Sequence, residues 1–335
     1  MRKGPRMIYI CKNCNGNVVY SPEKHKMYCP YCDSIGSDEL KNPSSAGMNV
    51  CPECGGEIQL EEHTSATKCP YCDSYLILNE RVSGQYAPEL IISFHVGKEK
   101  CKEDIRKMFH KNTFAPTDFL SEVRLNEMQG YYVPFWLFDY KVTEDFHGEG
   151  KKLRVWSSGN TEYTETSIYD IRRSMDLEFN MLPADASIQM PDGIMDLMEP
   201  YNYTQLEPFD PKYMSGFYAE KYNMEAEFVE KRAKTRMEES AKSLMKESYA
   251  GYNSVREISN DLRINDRQTH FGMLPIWRYN YEYKGKTYPF YVNGQTGKIV
   301  GEPPLSKGKI WAYAGTLWAC LTGILVLADM ILGKF

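Results

Sequence analysis

The sequence of 335 residues lacks the motifs that mark the commonest catalytic sites. It contains no Gly-x4-Gly-Lys-Ser/Thr phosphate loop, no Gly-x-Gly-x-x-Gly turn, no His-Glu-x-x-His helix and no Gly-x-Ser-x-Gly elbow. The segment Gly285-Lys-Thr287 ends like a phosphate loop, but Asn280 stands where the first glycine is needed. Because no nucleophile, general base or distinctive carboxylate pair stands out either, we expect a protein that is not an enzyme.

A basic excess and a secretory signal are absent as well. The formal net charge is −5, and residues 41–80 carry two lysines against six acidic residues. A protein built around nucleic acid usually presents a sustained basic face, so we do not expect nucleic acid as the main partner. The N-terminal residues contain no apolar core segment of a secretory signal. We therefore expect the N-terminal part of the chain to stay in a reducing cytosol.

Cysteine is concentrated at the N-terminal end, where eight of the ten cysteines lie within 80 residues. They form Cys-x2-Cys pairs separated by 14 residues, and the whole pattern repeats after 40 residues. The hexapeptide Cys-Pro-Tyr-Cys-Asp-Ser closes both copies, at residues 29–34 and 69–74. The predicted metal ligands are Cys11, Cys14, Cys29 and Cys32 in the first copy and Cys51, Cys54, Cys69 and Cys72 in the second.

This spacing is typical of tetrahedral zinc. Two residues between paired cysteines allow a tight turn that points both thiolates at one ion, about 2.3 Å away. Four cysteines leave no open coordination position, so we predict two structural Zn²⁺ ions as cofactors. Each would hold a small zinc ribbon, residues 1–40 and 41–80, whose core is too small to fold without metal. Disulfides would instead require an oxidising compartment, and a thioredoxin-like redox site would require a βαβ pattern that is missing here.

Residues 88–304 have the composition of an α+β body rich in antiparallel strands. Apolar residues at helical spacing, with Cys101 among them, predict a helix over 98–110, and aromatic and β-branched residues predict strands over 123–181. Turn signals occur at 148–150 and 157–160. The polar linker at 41–47 indicates a flexible joint that lets the two ribbons reorient.

Two further patterns lie in the body. Residues 217–249 predict one long helix with an alanine-rich seam, which either packs on the sheet or accepts a partner helix as in a coiled coil. Pro134-Phe-Trp-Leu-Phe-Asp-Tyr140 is echoed by Pro275-Ile-Trp-Arg-Tyr-Asn-Tyr281, each preceded by a glycine. The echo predicts a body made of two related β-rich halves. The aromatic residues are expected in core and cross-strand packing, not in a ligand platform.

The C-terminal residues 310–332 form the chain's one long apolar segment. It holds no charge before Asp329, and its helical length matches a bilayer core of about 30 Å. Trp311 and Tyr313 are expected at the near headgroup level, and lysines flank mainly that side, which favours a cytoplasmic N-terminal bulk. We expect a tail-anchored, single-pass protein of the cell membrane, with a buried core helix as the alternative. Small residues spaced four apart suggest oligomerisation through this helix, at Gly315, Ala319 and Gly323.

The paired Cys-Pro-Tyr-Cys segments, the Pro-x-Trp body and the single C-terminal span together resemble a bacterial family of twin zinc-ribbon membrane proteins. Its members are often labelled as similar to the primosomal replication-restart helicase or to transcription-factor zinc ribbons. The helicase label conflicts with the missing nucleotide-binding loop. The resemblance implies association with phage-shock protein A-like and band-7 (SPFH) proteins in envelope stress.

From these features we expect a membrane-anchored zinc-ribbon adaptor or scaffold that docks cytosolic partner proteins in an envelope or membrane stress response. In this interpretation the two ribbons are the docking modules, and the β-rich body spaces them from the bilayer. Two alternatives remain open. One is a membrane-tethered zinc-ribbon protein that binds nucleic acid, and the other is a zinc or redox sensor with labile metal.

Overall fold

The computed structural model of the chain describes residues 6–41, 50–116, 125 and 127–332. Most of the joint predicted at 41–47 therefore lies outside the described residues. The cysteine-rich part contains short strands: β1 Arg6–Cys11, β2 Val19–Ser21, β3 Lys26–Tyr28, β4 Asp38–Lys41, β5 Thr64–Lys68 and β6 Tyr75–Leu78.

The rest of the chain combines long strands with helices, as the predicted α+β class requires. Its elements are β7 Leu90–Ile91, α1 Lys98–Lys111, β8 Gln129–Ser158, β9 Thr161–Asp185, α2 Asp192–Leu197, β10 Glu207–Pro208, β11 Tyr218–Glu220, α3 Ala226–Ser248, β12 Ser254–Tyr283, β13 Lys286–Asn293, β14 Ile299–Val300 and α4 Lys307–Leu332. Short 3₁₀ turns occur at Asn79–Arg81, Gly84–Tyr86, Tyr203–Gln205 and Pro211–Met214.

One large sheet connects the cysteine-rich part to the body. Within the described residues it has 12 strands, with a main path β10-β7-β12-β8-β11-β5-β6-β1-β4. β8 pairs antiparallel with β12 along one edge and with β9 along the other. Antiparallel pairing therefore dominates the body, while β11 and β7 add short parallel contacts.

Each cysteine-rich unit contributes strands to this sheet, whereas β2 and β3 of the first unit form a separate two-stranded sheet. β1 of the first unit pairs with β6 of the second, so that Met7 lies opposite Ile77. β5 of the second unit pairs with β11, which lies beside β8 in turn. Reorientation of the units would break these backbone hydrogen bonds and leave their donors and acceptors unpaired. The independent movement expected of the two units does not agree with this arrangement.

β8, β9 and β12 form a long three-stranded arm of the sheet. β8 has 30 residues and follows a path of about 100 Å at roughly 3.3 Å per residue. α3 covers one face of the arm, where Ala233 and Met237 pack on Tyr140 and Val142. The alanine-rich seam thus faces the sheet, so the helix packs on the sheet as the first of the two alternatives states.

The two ends of β8 differ in their surroundings. At its start, Gln129 lies opposite Arg278 of β12, and α1 packs nearby through Phe109 against Tyr281. At its other end, the turn after Ser158 leads into β9. β12 begins at Ser254, opposite Lys151, so residues 152–168 form a two-stranded hairpin beyond the first residue of β12. We call residues 152–168 the tip hairpin.

Some local predictions were wrong. The expected turn at 148–150 is part of β8. A Cβ on Gly150 would lie 2.4 Å from Ile171 and 2.7 Å from Tyr252, and a Cβ on Gly148 would lie 2.7 Å from Phe146. These glycines therefore allow close packing and do not mark a turn. The long helix begins at Ala226 and not at residue 217, since Tyr218–Glu220 is held as a strand between β5 and β8.

The two echoed Pro-x-Trp segments lie side by side in the sheet. Pro134 of β8 is opposite Met273 of β12, and Pro275 is opposite Tyr132. The indole N–H of Trp136 donates to the Met224 carbonyl at 2.9 Å. The indole N–H of Trp277 donates to the Val96 carbonyl at 2.8 Å. The aromatic residues thus pack within and across strands, as predicted.

A partly buried ion cluster joins the end of β9 to two helices. The Arg232 guanidinium on α3 lies 2.7 Å from Asp185, 2.9 Å from Asp192 and 3.1 Å from Asp196. Asp185 is fully buried. Burial raises the pKa of Asp185 to about 6, although the hydrogen bond and charge of Arg232 act in the opposite direction.

We predict that Asp185→Asn changes the pH dependence of stability. An unfolded aspartate has a pKa of about 3.9, so a folded pKa near 6 means that the folded state binds the proton more tightly. Ionisation of Asp185 then lowers the free energy of unfolding as pH rises from about 4 to about 6, by roughly 2–3 kcal/mol.

The unfolding free energies of the variant and the wild type are measured at pH 5 and at pH 7.5, and the wild-type value is subtracted at each pH. The subtraction cancels the pH dependence of the cysteines, which both proteins share. The difference should favour the variant more at pH 7.5. The control is Asp192→Asn, whose side chain contacts the same guanidinium but is 58% exposed, and which should show a much smaller change. An equal difference at both pH values for Asp185→Asn would contradict the prediction.

Glu144 is a second buried acid, on the face of β8 that α3 covers. It is fully buried, and within the described residues neither carboxylate oxygen has a hydrogen-bond partner. Its cross-strand neighbours are Met175 and Leu262. An unpaired polar group in an apolar layer lowers stability, so Glu144→Leu should raise the unfolding free energy by about 1–3 kcal/mol. Chemical unfolding measures this, and a less stable variant would mean that the carboxylate is stabilised in the fold.

Candidate metal centres

The first four cysteines form a compact cluster of sulfur atoms. The Sγ atoms of Cys11 and Cys32 are 3.6 Å apart, and those of Cys14 and Cys29 are 3.5 Å apart. All four ligand atoms lie within 4.8 Å of one another. The cluster joins the end of β1 to the loop that follows β3.

The second four cysteines form an equivalent cluster. The Sγ atoms of Cys51 and Cys72 are 3.7 Å apart, and those of Cys54 and Cys69 are 3.8 Å apart. These four atoms also lie within 4.8 Å of one another. The structure thus brings together all eight cysteines predicted from the sequence, four in each cluster.

These distances fit metal coordination and not disulfides. Four thiolates at about 2.3 Å from a tetrahedral zinc ion lie about 3.8 Å apart, whereas a disulfide places its sulfurs about 2.05 Å apart. The described part of the chain includes all ten cysteines, and every one is a free thiol. Both clusters therefore suit one ion each, most naturally Zn²⁺.

The backbone forms the same turn at each Cys-x2-Cys pair. The first cysteine's N–H donates to the carbonyl five residues later, and its carbonyl accepts from the N–H four residues later, at 2.7–3.1 Å. The residue after the second cysteine has a left-handed φ of 58–77° in all four turns. Asparagine, aspartate and glycine tolerate this conformation best, and they occupy these positions as Asn15, Asp33, Gly55 and Asp73.

Hydrogen bonds stabilise some thiolates, while crowding opposes others. Burial acts to raise the pKa of Cys11, but backbone N–H groups of Asn13 and Cys14 lower it to about 6. The Gly16 N–H acts to lower the pKa of Cys14, yet the neighbouring thiols of Cys32 and Cys29 raise it to about 12. Negative charge on one sulfur disfavours a second beside it, so a divalent cation is needed to stabilise four thiolates together.

The tyrosine in each Cys-Pro-Tyr-Cys segment has a partner that the sequence did not reveal. A Cβ on Gly16 would lie 2.4 Å from Tyr31, and a Cβ on Gly56 would lie 2.5 Å from Tyr71. Each ring therefore covers the glycine of the facing turn. The signal for this contact is the repeat of glycine and tyrosine at the same 40-residue spacing as the cysteines.

Each cluster has a buried half and a more accessible half. The first cysteine of every pair is buried, whereas Cys14, Cys32 and Cys54 are exposed. Cys51 and Cys69 pack with Ile8 of the first unit and Leu76 of the second in one small core. The first cluster joins β1 to the loop after β3, and the second joins the turn at 51–54 to the turn between β5 and β6, which suits a structural role for bound metal.

Cys101 lies outside the clusters. It is buried on α1, and burial raises the pKa of its thiol to about 12. An apolar environment of this kind favours the neutral thiol, so Cys101 is a packed side chain, in agreement with the sequence-based prediction.

The C-terminal helix α4 is the second functional feature. Its segment Lys307–Ala328 has 22 residues with a mean hydropathy of 1.7, and none of its apolar window is buried within the protein. It is long and apolar enough to cross a membrane, and it overlaps the predicted span at 310–332. A helix with this composition would expose a large apolar surface in water.

Together these features define a class: a protein with two four-cysteine metal-binding clusters at the edge of a large sheet, followed by a C-terminal helix suited to membrane anchoring. The chain belongs to the family of the uncharacterized protein YdjG of Bacillus subtilis strain 168. The two are 35% identical over an alignment of 337 positions, which covers 98% of this chain and 99% of the relative. No protein-family profile matches the chain. No solved structure matches it. The twin zinc-ribbon resemblance and its associations stay a prediction.

We predict that the purified full-length chain binds two zinc ions. Cys51→Ser/Cys54→Ser should bind one, because it removes two ligands of a single cluster, and Cys101→Ser should still bind two. Elemental analysis with protein quantification measures the ratio. Two ions retained by the double variant, or none bound by the unmodified chain, would contradict the assignment. Chelation should also lower the melting temperature, since each cluster joins two turns that are separated in sequence.

Proposed function

We propose that this protein is a membrane-anchored adaptor without enzymatic activity, whose α4 lies in the bilayer and whose body docks cytosolic proteins. The observation that carries the proposal is the separation of two exposed apolar features along β8 and β12. The apolar helix α4 begins beside the end of α1, near the start of β8, and the tip hairpin lies at the opposite end of β8.

The tip hairpin has the character of a docking surface. Leu153, Val155 and Ile168 share one face, with Val155 56% and Ile168 61% exposed. Trp156 and Tyr163 stack on the other face, with ring centres 5.7 Å apart. A two-stranded hairpin is only marginally stable alone in water, and exposed aromatic side chains are typical of protein interfaces. A protein partner that covers the hairpin would bury these side chains.

The cysteine clusters take a structural role here, in place of the docking role first expected of them. They lie within the sheet near the start of β8, so docking is assigned to the tip hairpin and the metals to stabilising the fold. The partners suggested by the twin zinc-ribbon resemblance are phage-shock protein A-like and band-7 proteins, and the setting is envelope stress. The cytoplasmic position of the body rests on the lysines Lys307 and Lys309 before the apolar segment.

The test is affinity capture of the membrane-extracted protein, with quantification of co-purified phage-shock-type and band-7 proteins. Val155→Glu/Trp156→Ala should reduce this recovery at least tenfold, because it places a charge and a cavity in the apolar surface. The matched control Phe228→Ser alters an exposed aromatic residue on α3 and should retain recovery. Equal recovery for the hairpin variant, or salt-sensitive capture of nucleic acid in place of protein, would contradict the proposal.

A further inference from the structure

The end of α1 is held against the beginning of α4. The backbone N–H of Ser306 donates to the Phe114 carbonyl at 2.7 Å. The Lys309 ammonium donates to the Ala115 carbonyl at 2.6 Å. The Phe114 ring meets Tyr313 edge-on, with ring centres 5.5 Å apart. The loop 112–116, which follows α1 directly, therefore lies beside the first two turns of α4.

These contacts place the end of α1 at a defined depth, provided that α4 spans a bilayer as proposed above. Tyr313 is six residues after Lys307, or about 9 Å along the helix axis. Tyrosine and tryptophan favour the headgroup region, and Trp311 is the neighbouring aromatic residue. The loop that touches Tyr313 then lies at the same headgroup level.

The charges on α1 are distributed unevenly along its length. Acidic residues occupy its first half, and none occurs from Ile105 to Pro116. The second half is basic, and residues 303–328, which include the start of α4, also contain no acidic residue. The tertiary structure thus joins two basic segments that are about 190 residues apart in sequence. Their cations are Arg106, Lys107, Lys111, Lys307 and Lys309. Lys107 also forms an ion pair with Glu103 at 2.6 Å, on a side chain that is 57% exposed.

We infer that these five residues form a basic collar that binds the anionic headgroups of the leaflet that α4 enters. Positive side chains beside a membrane span are attracted by negatively charged lipid, and the attraction fades within a Debye length. The collar lies on two elements, and α1 packs on β12 and β13 through Phe109. Headgroup binding would therefore fix the orientation of the sheet, and with it the arm, relative to the membrane.

Lysine acetylation of the full-length chain in nanodiscs tests the collar. One set of nanodiscs contains phosphatidylcholine alone, and the other contains phosphatidylcholine mixed with phosphatidylglycerol. Lys107 and Lys111 should react at least about threefold more slowly in the anionic nanodiscs, and high salt should abolish the difference. Lys100 is the internal control, because it lies on the same helix and is 54% exposed, against 57% for Lys107.

A charge-reversal variant provides a second measurement. Lys107→Glu/Lys111→Glu should reduce the enrichment of phosphatidylglycerol that co-purifies with the chain, whereas Lys100→Glu should not. Resistance to alkaline extraction is measured in parallel and reports membrane insertion separately. Equal acetylation in both lipids for a chain that resists extraction would overturn the collar and leave the anchor intact. Alkaline extraction of the chain would overturn the anchor and the collar together.

Discussion

Backbone pairing along β8 is the constraint on which the other parts of the molecule depend. One strand of 30 residues pairs with β12 on one edge and with β9 and β11 on the other. Because every residue of such a strand except Pro134 presents a backbone donor and an acceptor, the neighbours are fixed in register and direction. Through β11 this register extends to the cysteine-rich units, and through α1 packing on β12 and β13 it extends to the start of α4.

The metal clusters lie in the cysteine-rich units at the edge of this sheet. The strands of the cysteine-rich units are short, with six residues or fewer each. Coordination of four thiolates supplies local cohesion where little apolar surface is buried. The glycine beside each tyrosine ring has a packing reason, since the ring leaves no room for a Cβ.

The arm combines stability and exposure in different proportions along its length. Near the body it is a three-stranded layer under α3, with a small-residue seam that allows the helix to approach closely. Beyond Lys151 it has two strands and no helix, so its apolar side chains stay in contact with solvent. Two buried acids, Asp185 and Glu144, lie in the covered part, where low polarity makes them costly unless they are paired.

The sequence alone determined the features that depend on near neighbours. Ligand pairs two residues apart, a repeat of 40 residues and an unbroken apolar segment are local patterns, and the structure brings all eight predicted ligands together as they require. Helix α1 and the turn at 157–160 follow from the same short-range rules. The tertiary structure alone decided which strands pair, that the cysteine-rich units join the sheet and that α1 ends beside α4. The physical reason is that strand partners and helix contacts join residues as much as about 190 positions apart, and no local pattern specifies such a partner.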